Sequence, residues 1–254
     1  MALVDRTALV TGASGQGIGR AVAWKLGEMG AVVGLNYKSD QTGAVSLAEE
    51  MQEKGLQSKI VYGDVSTRQG AIRLCHKAEN ILGPIDILVN NAGYWVEKPL
   101  LDTTDDEWDR MINTDLRGAF LTIRTLAPSM IKRRWGRIIN ISSISGLNSI
   151  EGEGVYGVAK AGLNMLTKSF GVDLGKYGIT VNAIAPGWTL PLGESYPPEP
   201  EDYAQCAAVP NQRPGHAKEV GELAGFLVSE DASHINAQVL CIDGGHSSIL
   251  LKGR

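Results

Sequence analysis

The stretch Thr7-Ala8-Leu9-Val10-Thr11-Gly12-Ala13-Ser14-Gly15-Gln16-Gly17-Ile18-Gly19-Arg20 begins as a short apolar run and passes through glycines into a helical pattern. Glycines at such a junction permit a tight turn and close backbone approach, and they leave the first helical amides able to receive a pyrophosphate. The same alternation continues outward from it. Apolar runs at Ala31 to Leu35, Lys59 to Tyr62, Ile85 to Val89, Arg137 to Ile141, Thr180 to Ile184 and Gln238 to Ile242 read as further strands. Helical segments near Gly17 to Met29, Thr42 to Lys54, Arg68 to Ile81, Thr104 to Lys132, Val155 to Tyr177 and Ala217 to Ser229 separate them. The pattern predicts an α/β, doubly wound fold: a mainly parallel seven-stranded sheet with helices on both faces. Thr104-Asp105-Asp106-Glu107 reads as a capping box that starts one of those helices.

With 254 residues, 43% hydrophobic and 20% charged, the chain has the composition of a globular protein and the length of one α/β domain, expected over 1–254. A formal charge of −4 gives no basic field for nucleic acid or anionic lipid. No run reaches the roughly 18 apolar residues of a membrane span, and Met1 to Arg6 lack a long apolar signal segment. Cys75, Cys206 and Cys241 show no pairing pattern and read as buried small hydrophobes. Neither they nor His76, His216, His234 and His246 have metal-ligand spacing, so no metal is expected. A cytoplasmic, reducing location follows as the expectation. Pro191, Pro197, Pro198, Pro200, Pro210 and Pro214 break regular structure through Trp188 to Pro214, a segment that reads as a lid over a substrate.

Residues four apart share a helix face, so in a Tyr-xxx-Lys pair the ammonium can favour the phenolate of its neighbour. Two such pairs occur, Tyr94/Lys98 and Tyr156/Lys160. Pro99 disfavours helix at Lys98, which leaves the first pair a loop coincidence. Tyr156-Gly157-Val158-Ala159-Lys160 instead opens a long helical pattern just after the strand end Ile138-Ile139-Asn140-Ile141-Ser142-Ser143. There a strand's carboxyl end meets the expected crevice.

These motifs together, with Asn90-Asn91-Ala92-Gly93, Asp64-Val65 and Pro186-Gly187, resemble the short-chain dehydrogenase/reductase family, in its single-domain branch with a Ser/Tyr/Lys active site. The resemblance runs from end to end and implies a Rossmann-like sheet. It implies that Tyr156 is the general acid/base, that Ser143 hydrogen-bonds the substrate oxygen, and that Lys160 holds the ribose and favours the Tyr156 phenolate. It further implies a cofactor held by Gly12, Ser14, Gln16, Gly17, Ile18 and Gly19 at the pyrophosphate. Asp64 and Val65 would lie near the adenine, with Asn91, Ala92 and Gly93 beyond and Pro186, Gly187 and Thr189 at the nicotinamide.

Four departures from the family pattern stand out. The glycine turn is one residue longer, so a small bulge is expected in it. The family's catalytic Asn falls on Asp115, with Asn113 two residues out of register. Pro191 stands where a nicotinamide-contacting Thr is common, and Thr189 is the substitute. Tyr37 occupies the end of the second strand, where NAD-preferring relatives often carry Asp; without that carboxylate Lys38 can attract a 2′-phosphate. NADP(H) is therefore the expected cofactor, with NAD(H) as the alternative. A charged Asp115 would hold Lys160 protonated, oppose the Tyr156 phenolate and move activity to alkaline pH; a protonated one would imitate Asn.

The expected function is hydride transfer between NADP(H) and a small-molecule ketone or secondary alcohol; the alternative is a non-catalytic, cofactor-sensing binding protein on the same fold. Tyr94, Trp95, Leu147, Trp188 and Tyr196 suggest aromatic and apolar pocket walls, and Asn148, Glu151 and Glu153 could bind hydroxyls. Val155 to Leu174 is apolar around much of its circumference, which predicts a subunit contact. The family resemblance implies a homotetramer.

Overall fold

The computed structural model describes residues 3–195 and 209–248. In chain order the main elements are β1 (Thr7–Val10), α1 (Ile18–Glu28), β2 (Val32–Tyr37), α2 (Gln41–Glu53), β3 (Ser58–Tyr62), α3 (Arg68–Leu82) and β4 (Ile87–Asn90). They continue with α4 (Asp105–Met111), α5 (Gly118–Arg133), β5 (Gly136–Ile141), α6 (Gly154–Gly175), β6 (Ile179–Pro186), β7 (Thr189–Leu190), β8 (Gly215–His216), α7 (Ala217–Val228) and β9 (Val239–Ile242). Seven strands form one sheet in the order β3-β2-β1-β4-β5-β6-β9, and every adjacent pair is parallel. The Rossmann-like expectation is met, with boundaries shifted by a residue or two.

Strand alternation sorts the core into two layers. Ala8 and Val10 of β1 pack with Val22 and Leu26 of α1 and with Val220 and Ala224 of α7. Leu9, pointing the other way, packs with Leu74 of α3, Ile123 of α5 and Leu174 of α6. Because both faces are covered, central strands such as β4 and β5 are buried at every position. Edge strand β9 has one neighbour, and its Cys241 is exposed, which corrects the reading of that cysteine as buried. Cys75 is buried as expected, and burial pushes its thiol up to about 12. No helix among the described residues is long and apolar enough to cross a membrane.

The capping box forms: Thr104 Oγ1 accepts the Glu107 amide while the Glu107 carboxylate accepts the Thr104 amide. The helix it starts is not uniform, however. Residues Ile112–Arg117 widen into a π turn between α4 and α5, correcting the single helix expected over Thr104 to Lys132. A π turn inserts a residue and rotates the helix beyond it, and such insertions often serve functional sites. Part of the proline-rich stretch is also regular: Thr189–Leu190 pairs in parallel with Gly215–His216. Tyr196, Pro197, Pro198, Pro200 and Cys206 lie outside the described residues.

Candidate active site

Strand order reverses between β1 and β4, which opens a crevice at the carboxyl ends of the strands. Two cavities of about 760 and 430 Å³ occupy it and share Asn91, Gly93 and Tyr94 in their walls. Ser143, Tyr156, Lys160 and Asp115 line the larger one. The smaller is lined by Gly12, Ser14, Lys38, Asp64, Val65 and Ala92.

Buried polar ties fix the elements that carry these residues against each other. Thr122 on α5 donates to Asn90 Oδ1 (2.7 Å), Asn90 Nδ2 to Asn140 Oδ1 (2.9 Å), and Asn140 Nδ2 to Thr167 on α6 (2.9 Å). Nearer the site, Ser142 donates to Asn164 Oδ1 (2.6 Å), and Asn164 Nδ2 donates to the Gly146 carbonyl (3.1 Å). Each satisfied group removes a freedom that would blur the geometry. The turn carrying Ser143 is thereby locked to the helix carrying Tyr156 and Lys160.

Lys160 Nζ donates to the Ile141 carbonyl (2.9 Å) and stands 3.1 Å from Asp115 Oδ1. It lies 5.3 Å from the centroid of the Tyr156 ring. Asp115 Oδ2 accepts the Tyr94 amide (2.8 Å). Burial pushes the Asp115 carboxyl above the ordinary carboxylate range, against the pull of Lys160 and the Tyr94 amide. Burial alone would lower the Lys160 ammonium, but Tyr156 and Asp115 together hold it above its ordinary value. Asp115 Oδ2 thus has a hydrogen-bond donor, while Oδ1 faces the Lys160 ammonium at salt-bridge distance. The π turn places Asp115 beside Lys160. Asn113 sits elsewhere and accepts from Arg117 (3.2 Å).

The first turn fits a bound dinucleotide on its own geometry. Gly12 has φ +65°, and a Cβ there would meet Ala92 Cα at 2.9 Å. Gly19 is packed tightly against the Asn91 side chain, which donates to the carbonyls of Thr11 and Gly12 (both 2.9 Å). Gly17, by contrast, faces open space, and α1 begins there with no side-chain cap. Uncapped helical amides beside an open cradle suit a phosphate group. Asn36 ties this turn to β2 by accepting the Gly12 amide (3.1 Å).

In the smaller cavity Lys38 Nζ is ion-paired with Asp64 Oδ2 at 2.9 Å. Burial works to raise the Asp64 carboxyl, but hydrogen bonds from Ser66 and Lys38 outweigh it and hold it below the ordinary range. The lysine expected to attract a phosphate thus already has a carboxylate partner.

Ile18, Pro186, Gly187 and Thr189 join the wall of the larger cavity, as do Tyr94, Trp95, Trp188, Glu151 and Glu153. Tyr37, Gln16, Leu147 and Asn148, by contrast, line neither cavity. Tyr37 turns to pack edge-on against Tyr62, with ring centroids 5.6 Å apart. Gln16 lies in a separate depression beside Arg20 and Trp24. Leu147 and Asn148 are exposed beyond the Ser143 turn. Sequence reasoning did not place Asn36, Glu97, Ser145, Val209 or His246 in the site; the first lines the smaller cavity and the other four line the larger.

The family described as enoyl-(acyl carrier protein) reductase matches residues 12–247. The 3-oxoacyl-[acyl-carrier-protein] reductase of Pseudomonas aeruginosa is 36% identical over 245 residues, which is 96% of this chain and 98% of that protein. Nodulation protein G of Azospirillum brasilense is 37% identical over 244 residues, covering 95% and 98%. Among solved structures, a gluconate 5-dehydrogenase from Burkholderia cenocepacia in complex with NADP and tartrate superposes with a TM-score of 0.88. It is 32% identical and covers 98% of both chains.

Proposed function

The chain belongs to the short-chain dehydrogenase/reductase family and is an oxidoreductase of CH–OH and C=O groups; from that premise we propose that it moves a hydride between NADP(H) and a ketone or secondary alcohol. The observation that carries the reading is the meeting of Ser143, Tyr156 and Lys160 in one cavity beside Pro186, Gly187 and Thr189.

Bound in the crevice, the nicotinamide dinucleotide supplies the hydride donor or acceptor. Gly12, Ser14, Gly17, Ile18 and Gly19 would hold its pyrophosphate, Asp64, Val65 and Ala92 its adenosine, and Pro186, Gly187 and Thr189 its nicotinamide. Ser143 orients the substrate oxygen by hydrogen bonding. Tyr156 gives a proton to that oxygen in reduction and takes one from it in oxidation. The Lys160 ammonium favours the phenolate state of Tyr156, and Asp115 fixes that ammonium in place. Developing charge on the substrate oxygen is met by groups already oriented, so little reorganisation is needed.

The finer assignments each have their own support. NADP(H) is favoured because no carboxylate ends β2 and Lys38 borders the smaller cavity, and because the gluconate 5-dehydrogenase relative holds NADP. The substrate cover expected over 188–214, within a single domain, is supported at its described ends by Trp188, Thr189 and Val209, which line the larger cavity, while 196–208 lie outside the described residues. A homotetramer is supported by Val158, Met165 and Val172, apolar residues exposed along α6. The three cysteines, with no pairing pattern, suit a cytoplasmic setting.

The test is NADPH and NADH oxidation against a panel of carbonyl compounds, with wild type and Tyr156→Phe. Turnover that collapses in the variant while cofactor binding persists is expected. Tight cofactor binding without turnover, unaffected by Tyr156→Phe, would make the protein a cofactor sensor instead. Sedimentation showing only monomer at micromolar concentration would remove the tetramer.

A further inference from the structure

Glu153 occupies the N-cap position of α6, three positions ahead of Tyr156, with no side-chain capping bond. Its side chain reaches back to the turn that carries Ser143, where Glu153 Oε2 accepts the Ser145 hydroxyl. Ser145 Oγ is 3.0 Å from Ser143 Oγ, and the Ser145 amide donates to Ser143 Oγ at 3.1 Å. A carboxylate only accepts, so the Ser145 proton is committed to Glu153. Ser145 is the one hydrogen-bond partner of the Glu153 side chain among the described residues, so Oε1 has no hydrogen-bond partner there, and Glu153 lines the larger cavity.

The carboxylate therefore stands two hydrogen bonds from Ser143, on the cavity where the substrate oxygen must lie. A vicinal diol can bridge the same gap, with one oxygen at Ser143 and the neighbouring hydroxyl at Glu153. We infer that Glu153 is a specificity-determining residue that accepts a hydroxyl on the carbon beside the reacting one. The substrate class is an α-hydroxy ketone in reduction and a vicinal diol in oxidation, uncharged at that carbon.

Charge in the cavity points the same way. Glu97 and Glu151 add two more carboxylates to its wall, and His246 is the one imidazole. Its one Lys or Arg among the described residues, Lys160, is 5% exposed and paired with Asp115. A substrate carboxylate in place of the hydroxyl would meet like charge with no unpaired Lys or Arg in the described wall to offset it.

The inference rests on the hydride-transfer reading of the same site, and the experiment separates the two. Hydroxyacetone, acetone and pyruvate share one skeleton and differ only at the carbon beside the carbonyl. Comparing their kcat/KM values in wild type, Glu153→Ala and Glu153→Gln cancels the intrinsic reactivity of each ketone. The hydroxyacetone-to-acetone ratio should fall about tenfold or more in Glu153→Ala, the scale of one hydrogen bond to a charged group. The pyruvate-to-acetone ratio should rise in both variants, while Glu153→Gln, which keeps an acceptor, should retain part of the hydroxyl preference. Equal losses for hydroxyacetone and acetone would overturn the inference and leave Glu153 acting only on Ser143 through Ser145. A wild type that reduces other ketones but does not favour hydroxyacetone would overturn it too. Cofactor binding without reduction of any ketone would overturn the hydride-transfer reading along with it.

Discussion

Two lysine–aspartate pairs stand at the two ends of one crevice, and their separations are nearly the same. Lys160 Nζ is 3.1 Å from Asp115 Oδ1, with side chains 5% and 0% exposed. Lys38 Nζ is 2.9 Å from Asp64 Oδ2, with side chains 57% and 25% exposed. Distance therefore does not distinguish them; water does. An exposed pair is screened and contributes about 0–1 kcal/mol. A buried pair has given up its hydration, so removing one partner leaves a charge with neither water nor counter-ion. The buried pair is thereby fixed in position. The exposed pair can exchange, and the crevice needs that wherever a ligand phosphate must replace a protein carboxylate.

The largest expected effect comes from breaking the buried pair. Asp115→Ala strands the Lys160 ammonium, and unfolding in urea should show a loss of about 3–5 kcal/mol. Asp64→Ala, by the same measurement, should cost about 1 kcal/mol or less. Equal costs would show that burial does not separate the two pairs.

A milder change keeps the shape and removes only the charge. Asp115→Asn can still accept the Tyr94 amide, but it no longer opposes negative charge on Tyr156. Alcohol oxidation needs the phenolate as base, so its kcat/KM profile should move toward lower pH. The displacement is about one pH unit for each 1.36 kcal/mol of repulsion relieved. An unmoved profile with retained activity would mean that Asp115 carries a proton and already behaves as an amide.

The contrast between the pairs also marks how far the sequence could be read. Strand runs such as Ile87-Leu88-Val89 were legible because a strand covered on both faces is apolar throughout. Ser143, Tyr156 and Lys160 were legible because they fall in one strand-turn-helix unit. The contact of Asp115 with Lys160 was foreseen only through register with relatives; hydrophobic periodicity gave no sign of the π turn that places it. Glu153 and Ser145 lie eight residues apart across a turn without periodic pattern, and Asn90, Asn140 and Thr167 meet only once the sheet is assembled. The Lys38–Asp64 pair was hidden for the same reason: it joins the ends of neighbouring strands, and single-strand patterns carry no pairing information.

At the exposed end, Lys38→Ala should leave stability within about 0.5 kcal/mol of wild type. Its effect belongs in the cofactor: kcat/KM for NADPH should fall several-fold to about tenfold, with little change for NADH, because only the former carries a 2′-phosphate. A strong NADH preference in wild type, unchanged in the variant, would remove Lys38 from cofactor choice.

The smallest expected effect, and the one that tests the contrast most finely, is that of Asp64→Asn. In the free protein Asp64 occupies Lys38, so a 2′-phosphate must compete with a carboxylate for the same ammonium. Removing the negative charge relieves that competition and takes like charge away from the phosphate, while the amide can still accept from Ser66 in place of the carboxylate. Binding of NADPH should therefore tighten, by about threefold if the screened pair is worth roughly 0.6 kcal/mol. The gain should shrink as salt rises from about 0.05 to about 0.5 M, since the interaction lies in water and the screening length falls with ionic strength. Binding of NADH should be nearly unchanged. Titration of both cofactors at the two salt concentrations checks this. A loss of affinity shared equally by NADPH and NADH would give Asp64 the other role expected of it, holding the adenosine end directly. The Lys38–Asp64 pair would then be part of the binding surface itself, as fixed in its function as the buried pair is in its position.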